Sequence, residues 1–252
     1  MIAISPGHFG IGTGAVSLVD EVKEARRVVD EVCKLIEQQN VKVYKIVDNT
    51  SKNARENLRY LNRQHENANR KLDVFVHFNA TAKVEKRAIG VEVLYKNAQV
   101  KPLAQALCMA ISNASGLKNR GAKLRADLFM LNNSTVDAVL IEVCFVNSEQ
   151  DVAIYQQHFH AICLAITQQL LQHIGYGPLL MTSQKGEHFS SKTLQKKVQS
   201  LFDDKYLIEQ VVQRAIQQNV IQKEWLSRLH ANQLTYLDVC GISLLLYKNQ
   251  IK

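Results

Sequence analysis

The feature that most constrains this chain is an alternation of short apolar runs with long stretches of helical period. The runs Ile2 to Ile4, Val41 to Val47, Val74 to His77, Val91 to Tyr95 and Val139 to Val143 are short, β-branched and suited to buried strands. Between them apolar residues recur every three or four positions. Val22, Ala25, Val28, Val29, Val32, Leu35 and Ile36 follow Asp20, a helix-capping residue, and mark one face of a long helix. A second helix is expected after Ser51, a third over Val100 to Ala114 and a fourth from Asp151 to His173. Strands separated by helices pair in parallel, because each crossover returns the chain to the same edge. The expected fold is therefore α/β, with three layers built on an open, mostly parallel sheet and flanking helices. The short link before Val91 leaves room for one antiparallel neighbour.

The alternation stops where Gly175, Gly177 and Pro178 fall together, so residues 1–174 are expected as the main domain and 175–186 as a linker. Residues 187–252 carry no strand pattern. Stripes such as Leu194, Val198, Leu201 and Phe202, then Val211, Val212, Ala215 and Ile216, predict a small all-α domain. Its Trp225, with Leu226, Leu229, Leu234, Tyr236 and Leu237, reads as core.

A chain of 252 residues with 46% hydrophobic and 21% charged side chains is not a disordered one. No run approaches the roughly 20 apolar residues that span a bilayer, so no membrane partner is expected. Residues 1–5 (MIAIS) lack the basic start and apolar core of a secretory signal, which predicts synthesis in the cytoplasm. Cys33, Cys108, Cys144, Cys163 and Cys240 form no Cys-x-x-Cys pair and read as reduced thiols among apolar neighbours. The 31 basic against 23 acidic residues favour a polyanionic partner. Nucleic acid is disfavoured, because aromatic residues are only 7% and are not interleaved with Lys and Arg.

Three strand ends carry polar residues that a core does not explain. His8 follows the first strand through Gly7, His77 ends the third apolar run, and Glu142 interrupts the last one. Open α/β sheets place ligands at the carboxyl edge, and a buried carboxylate is costly unless paired or metal-bound. A catalytic zinc ion takes three protein ligands of the His and carboxylate type, so His8 and His77 need one oxygen ligand. Glu21, opening the first helix, is the leading candidate, and Glu24, one turn further on, is the other. Glu142 is then left as general base, or else pairs with an arginine such as Arg125. Asn79 and Arg125 are the candidate substrate-binding residues, Asn79 also suiting a strand-terminating turn. Lys83, Lys86 and Arg87 lie on the loop after His77, where they would face solvent or anionic groups.

In these residues the chain resembles the zinc-dependent N-acetylmuramoyl-L-alanine amidases of bacterial autolysins, sporulation lysins and phage endolysins. The resemblance covers roughly residues 1–174. It rests on Gly7-His8 after the first strand, Glu21 opening the first helix, His77-x-Asn79-Ala80, Ile89-Gly90-Val91-Glu92, and Val139 to Asn147 around Glu142. It implies one Zn²⁺ held by His8, Glu21 and His77, with Glu142 as the catalytic acid/base. The implied reaction is hydrolysis of the amide joining N-acetylmuramic acid to L-alanine in peptidoglycan. A phage or prophage endolysin that meets the wall after release is the leading expectation, and a sporulation or autolytic amidase, or a zinc peptidase on the same scaffold, the alternative. Residues 187–252 would then serve wall binding, possible contact with anionic wall polymers included, or dimerisation into an oligomer.

Overall fold

A computed structural model describes residues 1–176, 200–201, 204–230, 234 and 236–250. The chain divides into two compact units, Met1–Tyr176 and Gly177–Lys252. From residue 177 the expected linker lies outside the described residues, as do Leu194, Val198 and Phe202.

The first unit is built on one six-stranded sheet ordered β2-β1-β3-β6-β4-β5. Its strands are β1 (Ile2–Pro6), β2 (Val43–Lys45), β3 (Leu72–Asn79), β4 (Val91–Tyr95), β5 (Asn119–Leu124) and β6 (Asp137–Phe145). All pairings are parallel except β4 with β6, the antiparallel neighbour for which the link before Val91 left room. The expected class, a mostly parallel sheet with helices on its faces, is the observed one.

Side chains alternate across the sheet. Ala3, Phe75, Leu94, Ala138 and Leu140 form one face with Leu61 of α2 (Ala54–Asn67) and Met130 and Leu131 of α4 (Phe129–Asn133). On the other face lie α1 (Glu21–Gln38), α3 (Lys101–Ser115) and α6 (Phe159–His173), with α1 and α3 both packed on α6. Helix α1 starts where expected, the Asp20 side chain accepting from Lys23 N, and its seven predicted apolar positions are all buried. Each of the six valine, leucine and isoleucine side chains among them is worth about 1.5–3 kcal/mol relative to exposure. A buried network ties the sheet to α2 beneath the first face. His65 Nδ1 lies 2.8 Å from Asp73 Oδ1 and its Nε2 3.0 Å from Ser5 Oγ, while Arg70 and Ser134 Oγ donate to the same Asp73. Ser5, His65 and Asp73 have the connectivity of a nucleophilic relay, but all three are buried, so they brace β1, β3 and α2 instead of meeting a substrate.

Three expectations are corrected. Strand β5 (NRGAKL) was not anticipated, because an edge strand exposed on both sides carries no apolar alternation. Strand β2 is shorter than Val41 to Val47, since only Val43–Lys45 pairs with β1. The expected fourth helix is two, α5 (Glu149–Gln157) and α6, broken at His158 with φ −111° and ψ 19°.

In the second unit, α7 (Lys205–Gln217), α8 (Glu224–His230) and α9 (Tyr236–Gln250) form a core of Val212, Ala215, Ile242 and Leu246. Val211, Ile216, Trp225, Leu226, Leu229 and Leu234 pack against it, as expected of a small bundle. No helix among the described residues is long and apolar enough to cross a membrane. The five cysteines are free, four of them buried and Cys240 partly exposed.

Candidate functional site

At the carboxyl edge of β1 and β3 the chain brings His8, Glu21 and His77 together. Gly7 N donates to Val76 O at 2.9 Å, which carries the end of β1 against β3. His8 then turns out of the sheet with φ 62°. The Asp20 cap starts α1 so that Glu21, in its first turn, points back at the strand ends. Glu21 Oε2 lies 3.1 Å from His8 Nε2 and accepts from Ala15 N at 2.9 Å. Its Oε1 lies 3.3 Å from His77 Nδ1 and accepts from Phe78 N at 3.2 Å. The three ligand atoms all lie within 4.8 Å of one another.

Two glycines make room for this convergence. A Cβ on Gly7 would fall 2.2 Å from His77 Cε1, and one on Gly14 would fall 2.7 Å from Glu21 Oε2 and 2.8 Å from His8 Cδ2. Burial and pairing oppose each other at these groups. Burial works to raise the Glu21 pKa, and the His77 and His8 bonds outweigh it, holding the carboxyl well below its usual range. Burial works against a proton on His77, and its bond to Glu21, with the charges of Glu142 and Glu21, outweighs that in turn, so its pKa is raised.

Glu142 stands beside His77. The two are register partners across β3 and β6, and Glu92 of β4 is the partner of Glu142 on its other side. All three continue the face that carries Phe75, Leu140 and Leu94. Glu142 Oε2 is buried and has no hydrogen-bond partner among the described residues. Burial, with Glu21 and Glu92 adding to it and His77 and His8 opposing, pushes its pKa up to about 7. An orphaned buried acceptor costs roughly 1–3 kcal/mol and persists where function uses it.

Glu92 enters the sequence reading only within the strand motif Ile89-Gly90-Val91-Glu92 and with no role of its own, although a charge inside an apolar strand is the same signal that marks Glu142. Its Oε2 accepts from Arg120 Nε at 2.7 Å and from Lys123 Nζ, and its Oε1 from Asn79 Nδ2 at 3.4 Å. Arg120 and Lys123, three apart, reach one carboxylate because the β4–β5 register shifts at this point. Asn79 also turns the chain, its Oδ1 accepting from Ala80 N at 2.8 Å.

Several candidates sit elsewhere. Glu24 accepts from Tyr155 Oη at 2.8 Å and from Arg27 Nη1 at 3.2 Å and is not among the three clustered ligands. Arg125 does not pair with Glu142: its Nε and Nη2 bind the Asp127 carboxylate at 2.8 and 2.9 Å. Lys83, Lys86 and Arg87 are exposed on a loop sewn down through its backbone, Lys83 O accepting from Asn147 Nδ2 and Arg87 O from Ser148 Oγ.

Known proteins share this arrangement of elements. The catalytic domain of the CD27L endolysin targeting Clostridia difficile superposes with a TM-score of 0.62 at 26% identity, over 68% of this chain and 96% of that one. An N-acetylmuramoyl-L-alanine amidase from Clostridium difficile 630 superposes with a TM-score of 0.60 at 23% identity, over 69% and 95%. The "uncharacterized 38.4 kDa protein" of Clostridium perfringens is 32% identical over 158 residues, 62% of this chain and 46% of that protein. The chain thus spans about half the length of the curated relatives it matches. The sequence profile of the N-acetylmuramoyl-L-alanine amidases matches residues 2–172, which take in the whole sheet and every residue of the cluster, and the chain belongs to that family.

Proposed function

We propose that the first unit is a zinc-dependent amidase that hydrolyses the bond joining N-acetylmuramic acid to the L-alanine of the peptidoglycan stem peptide. One observation carries this reading: His8, Glu21 and His77 converge within 4.8 Å while the buried Glu142 Oε2 beside them lacks a partner. Two imidazoles and a carboxylate, in a cradle kept open at Gly7 and Gly14, fit a catalytic zinc ion, which takes three such ligands and keeps a fourth position open. When bound, zinc supplies a Lewis acid that polarises the amide carbonyl and makes water more acidic. Glu142 takes one proton from the attacking water on its carboxylate. The remaining hydroxyl adds to the carbonyl carbon, the C–N bond breaks, and Glu142 returns the proton to the departing alanine nitrogen. A carboxyl group that burial lifts above the usual carboxylate range is suited to both transfers.

Asn79, bonded to Glu92 beside Glu142, and Arg125 are the proposed substrate contacts. Arg125 is held charged by Asp127 first and also by the fields of Glu92 and Glu142. The finer assignment as a phage or prophage endolysin is supported by the likeness to the CD27L catalytic domain. Within it, the bundle of α7 to α9 is assigned to wall binding or self-association.

The test incubates the purified chain with Gram-positive cell walls and follows new amino-terminal alanine beside new reducing sugar. The expected result is alanine termini without reducing ends, abolished in Glu142→Gln. Termini of another residue would make the protein a zinc peptidase, and no release at all would end the hydrolase reading.

A further inference from the structure

We propose that Arg26, Asp48 and Asn57 are positioning residues for His8, holding its backbone in the turn from which the imidazole reaches Glu21, and that they thereby set the affinity of the site for its metal ion. This rests on the reading of His8, Glu21 and His77 as metal ligands.

His8 is one of three residues other than glycine with positive φ among those described, at 62°. That conformation costs a residue with a side chain about 1–2 kcal/mol, and it persists only where the surroundings over-determine it. Here three buried or half-buried groups from three segments do so. Asn57 of α2 donates through Nδ2 to His8 O at 3.3 Å. Arg26 of α1 donates through Nη2 to the next carbonyl, Phe9 O, at 3.3 Å. Asp48, in the segment after β2, joins the two donors. Its backbone O accepts from Arg26 Nη2 at 3.0 Å and its Oδ2 from Asn57 Nδ2 at 2.9 Å. Asp48 Oδ1 is itself fixed by Thr50 N at 2.8 Å, Thr50 Oγ1 at 3.0 Å and Ser51 N at 3.1 Å.

Asp48 and Asn57 are only 1% and 4% exposed, which is costly for polar side chains unless their bonds are made. Among the described residues Arg26 Nε is buried without a partner and no carboxylate pairs with the guanidinium, so it is aimed by the two carbonyls it serves. None of the three residues belongs to the metal-ligand cluster, and all of their leverage on it runs through the main chain of His8 and Phe9. If that strap is cut, the His8 turn is free to relax towards right-handed backbone, which swings the imidazole away from Glu21 and leaves two ligands in place of three.

Groups that orient a ligand without touching the metal typically change affinity by about tenfold to hundredfold. In the 252-residue chain, Asn57→Ala is expected to weaken Zn²⁺ binding by about that factor, measured by competition with a chromogenic chelator. Arg26→Lys, which keeps the charge but on a shorter side chain cannot place its nitrogen where Nη2 serves both carbonyls, is expected to fall between wild type and Asn57→Ala. Arg63→Ala, exposed on the outer side of the same helix as Asn57, is expected to bind as wild type does. Co²⁺ loading adds a readout of geometry, since a displaced His8 shifts the visible absorption bands. A merely structural role would lower the urea midpoint of the metal-free protein while leaving the Zn²⁺ affinity of the folded fraction and the Co²⁺ spectrum unchanged, and that result overturns the proposal. If Asn57→Ala does not fold, Arg26→Lys decides by the same two readouts. Tight binding by wild type, weak binding by His77→Ala and unchanged binding by both network variants would refute the positioning role alone. Failure of wild type to bind Zn²⁺ would refute the metal site and this proposal together.

Discussion

Substituting Gly14 by alanine adds one methyl group at the point where the candidate ligands meet. Gly14 is not among the glycines with positive φ, so alanine fits its backbone and the effect is confined to the new Cβ. That atom would lie 2.7 Å from Glu21 Oε2, 2.8 Å from His8 Cδ2 and 3.0 Å from His8 Nε2. Ordinary contacts begin near 3.5 Å, so the two side chains must yield by about 0.5–0.8 Å. Glu21 has little room to do so: Ala15 N holds one carboxylate oxygen at 2.9 Å and Phe78 N the other at 3.2 Å. Metal sites tolerate displacements of about 0.5 Å, which puts the expected loss of Zn²⁺ affinity at tenfold or more, about 1.4 kcal/mol. The assay is chelator competition on Gly14→Ala beside Gly10→Ala, whose Cβ would meet only Thr13 Cγ2, at 3.8 Å. Wild-type affinity in Gly14→Ala, with Gly10→Ala equally unaffected, would show that Glu21 and His8 do not approach this closely in the working protein, and the reasoning from the cradle would fail.

Glu142→Gln is expected to keep its metal and lose at least about a hundredfold in turnover, whereas His77→Ala loses both, as metal content and wall hydrolysis measured on the same samples will show. Asp73 supplies a pH dependence of stability. Burial raises its pKa, but His65, Arg70 and Ser134 bring it from 3.8 down to about 2, so the stabilisation is complete above pH 4 and is lost as the pH falls towards 2. The size is about 2 kcal/mol, read as the change in urea midpoint between pH 5 and pH 2, and a flat profile or one unchanged in Asp73→Asn would contradict it. Of the five thiols Cys240 is expected to react first with a disulfide reagent in the native protein, because burial pushes Cys33 up to about 12 and Cys108 to about 11, and raises Cys144 and Cys163 as well. Mass mapping of the first adduct checks this.

The order of elements was legible wherever burial is one-sided or complete. Strands β1, β3, β4 and β6 and the apolar stripe of α1 all answer to solvent exclusion, which leaves a period in the sequence. Strand β5 answers to hydrogen bonding at an edge and to the Glu92 pairs with Arg120 and Lys123, neither of which leaves one. The break at His158 is invisible for a related reason. Val152 and Tyr155 before it and Ile162 and Ile166 after it are buried alike, so the apolar pattern runs through a bend that only the backbone records.

The same distinction separates the candidate site into legible and illegible parts. His8, His77 and Glu142 stand out because a polar side chain in apolar company must have a reason to be there. Gly14, Asp48 and Asn57 do not stand out, because Gly14 contributes only the absence of an atom, Asn57 donates to a backbone carbonyl, and Asp48 accepts from Arg26 and Asn57 without touching the cluster. The choice between Glu21 and Glu24 shows what a long-range contact adds. Both lie in the first turn of α1 and both are buried, and three helical residues turn only about 60° short of a full circle. Periodicity therefore cannot part them. What does is Tyr155, in α5 far along the chain, whose hydroxyl takes Glu24 at 2.8 Å and leaves Glu21 between the two histidines. Replacing Tyr155 by phenylalanine keeps the ring contacts with Phe78 and Phe159 and strips Glu24 of that donor. If Glu24 is spent on structure, the variant loses stability and keeps its Zn²⁺ affinity. An affinity that changed with it would bring Glu24 back as a ligand.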